Sequence, residues 1–195
     1  MIMSMYKVIC VTNRKLAGDR FLEQIKLAAS SGVEGIILRE KDLPEEEYEK
    51  LAEQVKGICE EMQVPLILHT YPEAARRLGI RSIHLPLHIF LQMDDQQKMF
   101  FDVTGVSAHS AEEASAAWKA GASYITAGHV FATDCKKGVP PRGLLFLKEV
   151  CEAVPIPVYA IGGIDSGNAE DCLRAGAAGV CLMSAFMKAK RPLFG

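Results

Sequence analysis

The sequence predicts an α/β protein whose eight parallel strands close into a single (β/α)8 barrel, or TIM barrel, over residues 1–195. Two observations predict this fold. Short apolar runs alternate with amphipathic helical stretches along the whole chain, and 195 residues suffice for one domain with a sizeable core. The strands are predicted at Tyr6–Thr12, Gly35–Arg39, Leu66–His69, Ser82–Leu85, Val103–Ser107, Tyr124–Gly128, Val158–Ile161 and Gly179–Met183.

The residues that lead into the strands favour a closed barrel. A glycine suited to ending a helix precedes each even-numbered strand, and a proline, which the first position of a strand tolerates, precedes two odd-numbered ones. These residues are Gly32, Gly79, Gly121 and Gly176, and Pro65 and Pro157. Such alternation suits a closed barrel, because alternate strands fill the layers of its interior.

An open, doubly wound sheet is the alternative architecture. It would normally place a phosphate-binding G-x-G-x-x-G after the first strand, whereas no glycine follows Thr12 until Gly18. The predicted barrel is compact. The segment Pro86–Phe101 holds everything between the fourth and fifth strands, and the last helix, from Ser184, is shortened.

Composition and charge exclude several classes of function. The chain is 49% hydrophobic and 24% charged with a net charge of −2, so nothing favours nucleic acid or an acidic membrane as a partner. No apolar run is long enough to span a bilayer, and the first residues lack a signal-peptide pattern, so we expect a cytoplasmic protein. The six cysteines form no C-x-x-C pair and are expected to be reduced thiols.

Reactive groups of such a barrel lie at the carboxyl ends of its strands. The sixth strand leads into the densest polar segment of the chain, Gly128–Gly138, which contains His129, Thr133 and Lys136. Histidine titrates near neutral pH, so His129 is the candidate acid/base, with a structural loop histidine as the alternative. Cys135 is a weaker candidate nucleophile, because no histidine follows it within the loop.

Two further regions carry candidate groups for an anion. Arg39 and Lys41, after the second strand, suit a phosphate or a carboxylate, and a solvated charge cluster is the alternative. Gly162 and Gly163, after the seventh strand, would let a phosphate approach the backbone, and Ser184, after the eighth, is placed to cap the last helix. Barrels of this kind usually hold phosphate after these two strands.

Three histidines are possible metal ligands, but their sequence pattern does not indicate a metal site. His69 ends the third strand, and His84 and His88 lie four residues apart. No acidic residue lies between His84 and Asp94, and the spacing of the three histidines matches no standard ligand set. No metal ion and no cofactor are therefore predicted.

Three motifs resemble the thiamine phosphate synthase superfamily: Arg39-Glu40-Lys41-Asp42-Leu43, Gly105-Val106-Ser107-Ala108-His109-Ser110 and Ala160-Ile161-Gly162-Gly163-Ile164. The likeness runs from Tyr6 to Met187 and implies a (β/α)8 barrel with a role around the thiazole half of thiamine. The superfamily has a synthase branch, which joins a pyrimidine diphosphate to a thiazole phosphate, and a thiazole tautomerase branch (TenI).

Departures from the synthase pattern favour the tautomerase branch. Synthases carry an Asn-Asp-Arg motif after the third strand and a His-Leu-Gly-Gln-Glu-Asp motif after the fourth, whose aspartates hold Mg²⁺. This chain lacks both carboxylates, with Thr70 and Ile89 in their places, and Mg²⁺ needs oxygen ligands that histidine or isoleucine cannot supply. The segment Gly128–Gly138 resembles the tautomerase signature, with His129 where synthases have proline.

The resemblance therefore implies an isomerase of thiamine biosynthesis, a thiazole tautomerase that aromatises a carboxylated dihydrothiazole phosphate. His129 would be its acid/base. The phosphate would be held by Gly162, Gly163 and Ser184, and the carboxylate by Arg39, Lys41 or Lys136. The expected partner is a thiazole phosphate, with no nucleic acid and no membrane, and a homodimer is left open.

Two alternatives to the tautomerase stay open. One is a true thiamine phosphate synthase, which Arg39, Lys41, Thr133 and Lys136 fit and the missing aspartates do not. The other is a non-catalytic regulatory barrel that binds a phosphate-bearing ligand without converting it to a product.

Overall fold

The structure, a computed structural model, describes residues 6–136 and 138–193, and Cys135 by its backbone alone. Its eight parallel strands form one closed barrel in chain order, with β1 paired to β8. The strands are β1 Lys7–Val11, β2 Gly35–Leu38, β3 Leu66–His69, β4 Ser82–Pro86, β5 Val103–Ala108, β6 Tyr124–Gly128, β7 Val158–Ile161 and β8 Gly179–Leu182. The predicted (β/α)8 barrel is confirmed, and every predicted strand end lies within one residue of the observed one.

Helices surround the barrel. They are α1 Arg14–Ala17, α2 Phe21–Ala29, α3 Glu45–Glu61, α4 Pro72–Arg77, α5 Leu87–Gln92, α6 Asp95–Met99, α7 Ala111–Lys119, α8 Gly143–Ala153, α9 Ala169–Arg174 and α10 Ser184–Met187. Two short helices, α5 and α6, fill the trimmed β4–β5 connection, and α10 is as short as predicted. None of the helices in the described ranges is long and apolar enough to cross a membrane.

The turns before the even-numbered strands have the predicted geometry. The glycine before each of these strands has a positive φ, between 67° and 105°. Each of these turns follows the end of a helix, where a left-handed residue is favoured.

The barrel interior is divided into an apolar layer and a polar layer. The apolar layer comprises Ile9, Val11, Ile37, Ile67, Tyr124, Tyr159 and Cys181. The rings of Tyr124 and Tyr159 meet edge to face, with their centroids 5.7 Å apart. Nearer the carboxyl ends of the strands lie buried polar side chains, those of His69, His84 and Thr126. The floor of any site at this end of the barrel is therefore polar.

The phenol ring of Tyr124 depends on an adjacent glycine for its space. A Cβ atom added to Gly105 on β5 would lie 2.0 Å from Cζ of Tyr124 and 2.4 Å from its hydroxyl oxygen. Ring and Cβ cannot occupy the same volume, so the Gly105 position requires the absence of a side chain.

We expect Gly105→Ala to lower the free energy of unfolding by about 1–3 kcal/mol, because the added methyl overpacks the interior. Gly57→Ala is the matched control, since Gly57 lies within α3 with open space around its Cβ position, and alanine there should stabilise by roughly 0.5–1 kcal/mol. Urea unfolding measures both. Equal midpoints for wild type and Gly105→Ala would contradict the packing argument.

Candidate active site

A buried carboxylate joins the carboxyl ends of β1 and β2. Thr12 donates from Oγ1 to Oε1 of Glu40 at 2.6 Å, and the backbone N–H of Arg14 donates to both carboxylate oxygens at 3.0 Å. The backbone N–H of Arg39 donates to Oγ1 of Thr12 at 2.9 Å. Burial raises the pKa of Glu40, and the hydrogen bonds from Thr12 and Arg14 oppose that rise. This set of contacts fixes the backbone on which Arg39 and Lys41 stand.

Three positive charges converge at the mouth of the barrel. Burial lowers the pKa of Lys41, and the charges of Arg39 and Lys136 lower it further. Like charges in one another's neighbourhood repel, and an anion between them would relieve that repulsion. The structure thus places three of the residues predicted for substrate binding at the same end of the barrel, in the segment after β2 and in the loop after β6.

The loop between β6 and α8 forms a surface cavity of about 380 Å³. Its lining residues are Ala132, Thr133, Asp134, Lys136, Gly138 and Val139. Two predicted binding residues, Thr133 and Lys136, therefore share one cavity. The side chain of Cys135 lies outside the described part of the chain, so its candidacy as a nucleophile stays a prediction.

His129, the predicted acid/base, is buried at the base of this loop, with 5% of its surface exposed. Its Nε2 atom contacts the carbonyl oxygen of Val139 at 3.3 Å, while Nδ1 is buried without a hydrogen-bond partner among the described residues. The backbone N–H of Arg142 donates to the carbonyl of His129 at 3.1 Å. The imidazole therefore spans the two ends of the loop.

Gly162 and Gly163 pack tightly against the loop after β6. A Cβ on Gly162 would lie 2.3 Å from Cβ of His129, and one on Gly163 would lie 2.3 Å from the carbonyl oxygen of Ala132. Both glycines have positive φ, 102° and 67°. The loop after β6 therefore occupies the space beside the Cα atoms of both glycines. The contact of a phosphate with their backbone stays a prediction.

Ser184 begins α10 but does not cap it, so that prediction is wrong. The N-cap residue is Met183, and it makes no side-chain capping hydrogen bond. Because β7 and β8 are paired, with Ile161 opposite Cys181, the segments that follow them lie at the same end of the barrel. Gly163 and Ser184 thus share that end with His129.

Two imidazoles form the polar floor beneath the three cations. The rings of His69 and His84 stack with centroids 5.7 Å apart. Burial lowers the pKa of His69 to about 2 and that of His84 to about 3, and the charges of Arg39 and Lys41 add to both shifts. Both rings are therefore neutral at physiological pH.

The donors at this floor do not fit Mg²⁺. Nδ1 of His69 contacts Oγ1 of Thr70, and both ring nitrogens of His84 are hydrogen-bonded. Within residues 6–136 and 138–193, no three His, Cys, Asp or Glu side chains are grouped as metal ligands, and His88 is exposed on α5. Mg²⁺ prefers carboxylate, carbonyl and water oxygens, which Thr70 and Ile89 do not bring to the two synthase positions.

Sequence reasoning missed several residues of this site. Thr12 and Glu40 were not singled out, although Glu40 stands between two predicted binding residues. In the sequence, His84 stands as a possible metal ligand and within the segment compared with the second synthase motif, and Ser107 and Tyr124 stand within a motif and a strand; none of the three is predicted to line the site. A polar residue at an inward position of a strand is the signal that points to such a floor.

A closed barrel with several cations at the carboxyl ends of its strands is an arrangement suited to an anionic small molecule. A sequence model of the family described as thiamine monophosphate synthase matches residues 8–186, and the chain belongs to this family.

Relatives of known name agree with this assignment. Thiamine-phosphate synthase 2 of Streptococcus pneumoniae serotype 4 is 34% identical over 190 residues, which cover 94% of this chain and 89% of the relative. Thiamine-phosphate synthase of a Roseiflexus species is 34% identical over 192 residues, covering 95% and 80%. The solved structure of thiamine phosphate pyrophosphorylase from Pyrococcus furiosus superposes with a TM-score of 0.81 at 29% identity, covering 95% of this chain and 89% of that one.

These relatives overturn the expected activity. The expectation of a thiazole tautomerase, an isomerase, is wrong, because relatives along nearly the whole chain are named thiamine-phosphate synthases, which are transferases. Two missing carboxylates and the presence of His129 are the main grounds for expecting a tautomerase. In the structure His129 is buried against the carbonyl of Val139, a geometry that also suits a loop anchor.

The neutral imidazoles of the floor make stability depend on pH. Histidine in the unfolded chain has a pKa of about 6.5, so as pH falls below that value the unfolded chain binds protons that the folded state does not. The free energy of unfolding should fall by about 1.4 kcal/mol per pH unit for each imidazole. Urea unfolding at about pH 7 and about pH 5.5 measures this loss.

His69→Gln should remove about half of the loss, because one of the two imidazoles is gone. His88→Gln serves as the control, since His88 is exposed, and should leave the pH dependence unchanged. Equal stability of the wild type at the two pH values would show that the imidazoles are not held neutral.

Proposed function

We propose that this protein is a transferase of thiamine biosynthesis that joins a pyrimidine diphosphate to a thiazole phosphate and releases diphosphate. The observation that carries the proposal is that Arg39 and Lys41, after β2, and Lys136, in the loop after β6, stand at the carboxyl ends of strands of one closed barrel. There the charges of Arg39 and Lys136 help to lower the pKa of Lys41. A diphosphate is the most highly charged part of either substrate, and it must leave during the reaction. Cations that stabilise its growing negative charge lower the barrier to its departure.

The diphosphate would bind between the two sides of this mouth. Arg39 offers a planar guanidinium that hydrogen-bonds two phosphate oxygens at once, and Lys41 and Lys136 offer ammonium groups as point charges. Thr133 lines the cavity beside Lys136 and would donate its hydroxyl to the same anion. Since the floor does not fit Mg²⁺, these side chains would supply the charge stabilisation.

The thiazole phosphate would bind at the ends of β7 and β8. Its phosphate would accept hydrogen bonds from the backbone N–H groups of Gly163 and Ser184, whose segments follow the paired strands β7 and β8 at one end of the barrel. Gly162 supports this arrangement by allowing the β7 loop to pack on His129. The two substrates would then meet above the polar floor.

His129 would position the loop that carries Thr133 and Lys136. Its ring contacts the carbonyl of Val139 near the far end of that loop. Removal of the ring would loosen the loop without removing a reacting group. Binding of the diphosphate would therefore suffer more than the chemical step.

The proposal is tested by incubating the purified protein with both substrates and measuring thiamine phosphate. We expect product in wild type, and in Lys41→Met a roughly tenfold to hundredfold weaker binding of inorganic diphosphate, because a hydrogen bond to a charged group contributes about 1.5–3 kcal/mol. Lys50→Met is the matched control, since Lys50 lies exposed on α3 in a pair with Glu46. Absence of product in wild type would overturn the proposal.

A second experiment separates loop positioning from proton transfer at His129. We expect His129→Ala to raise KM for the pyrimidine diphosphate severalfold while kcat changes little, with His88→Ala as the control. A fall in kcat of roughly 10²–10⁴-fold at constant KM would instead identify His129 as a general acid or base. Steady-state kinetics distinguish the two outcomes.

A further inference from the structure

A chain of hydrogen bonds runs from the apolar interior of the barrel to its mouth. The hydroxyl of Tyr124 lies 3.0 Å from Nδ1 of His84, and Nε2 of His84 lies 2.9 Å from Oγ of Ser107. Oγ1 of Thr126 lies 3.2 Å from the same Nε2 and donates to Oγ of Ser107 at 3.3 Å. Tyr124, His84 and Thr126 are buried, whereas Ser107 is partly exposed.

The direction of the protons follows from the buried end of this chain. The hydroxyl of Tyr124 makes no other hydrogen bond among the described residues, and the same ring contacts Tyr159 and the backbone position of Gly105. A phenol hydrogen left without an acceptor in such surroundings costs the full desolvation of that group. Tyr124 therefore donates to His84, and Nδ1 of His84 accepts.

The tautomer of His84 then determines the role of Ser107. A neutral imidazole that accepts at Nδ1 carries its hydrogen on Nε2. That hydrogen is donated to Ser107, whose oxygen also accepts from Thr126. Both lone pairs of the serine oxygen are thus engaged, and its own hydrogen is left for a group in the barrel mouth.

We propose that Tyr124 is a positioning residue that, through His84, makes Ser107 an obligate hydrogen-bond donor to the substrate. Ser107 would accordingly select a ligand atom with a lone pair, such as a ring nitrogen or an oxygen, and reject an N–H group at the same place. The identity of the substrate rests on the proposed function, whereas the direction of the hydrogen bonds does not. Gly105 belongs to the same device, because it provides the space for the phenol ring.

The first test needs no ligand. In ¹⁵N NMR of the histidine rings of the intact protein, we expect wild-type His84 to be protonated at Nε2 and unprotonated at Nδ1. Tyr124→Phe should change the Nδ1 resonance, because that atom loses its donor. Tyr159→Phe, which removes a hydroxyl from the neighbouring ring, is the control and should leave it unchanged. A wild-type His84 protonated at Nδ1 would overturn the proposal.

The second test is a double-mutant cycle with thiamine phosphate as the probe in calorimetric titration. We expect Tyr124→Phe to weaken binding about threefold to tenfold, in the range of one neutral hydrogen bond. The same substitution should have no further effect in a Ser107→Ala background, because Tyr124 acts through Ser107. Additive losses would refute the coupling. Failure of wild type to bind thiamine phosphate would count against the proposed function, while the NMR test still decides the hydrogen-bond direction.

Discussion

The contact between Tyr124 and Gly105 determines what the rest of the barrel interior contains. A phenol ring fills the space that a side chain on β5 would take, and the edge-to-face contact with Tyr159 completes an apolar layer. The hydroxyl of the same ring points to the polar layer. There it contacts Nδ1 of His84, its one hydrogen-bond partner among the described residues. Apolar packing below and hydrogen bonding above are thus joined in one side chain.

Electrostatics at the barrel mouth depend on the polar layer that lies above this contact. The buried imidazoles of His69 and His84 stay neutral beneath Arg39 and Lys41, so the floor adds no further positive charge to the cationic cluster. Glu40 is turned inward to Thr12 and to the backbone of Arg14, and is engaged by these hydrogen bonds. For the proposed anion, the charges of the mouth would therefore be in place before any substrate binds.

The fold could be predicted from local signals, because six of the eight strands are preceded by a glycine or a proline whose backbone preferences are strong. Gly32 and Gly176 end helices with positive φ, and Pro65 and Pro157 precede strands. The cationic cluster could be predicted only as separate candidates, since Lys41 and Lys136 are far apart in sequence and barrel closure brings them within electrostatic range.

The activity was the least predictable property of the chain. The sequence pattern at Thr70, Ile89 and His129 indicated an isomerase, whereas relatives with substantial identity over nearly the whole chain are named synthases. The replacement of single residues of a motif does not reveal which other side chains of the site would bind the charged substrate. In this barrel, the burial of Glu40 and the hydrogen bonds of His84 become visible only when the strands are paired.

A crystal structure of the protein with thiamine phosphate and inorganic diphosphate tests the central claim most directly. We expect the diphosphate between Arg39, Lys41 and Lys136, and the pyrimidine half of thiamine phosphate above Ser107 with a lone-pair atom facing its hydroxyl. Diphosphate at the opposite end of the barrel, in the cavity lined by Lys56, Cys59 and Glu60, would contradict the assignment of the site.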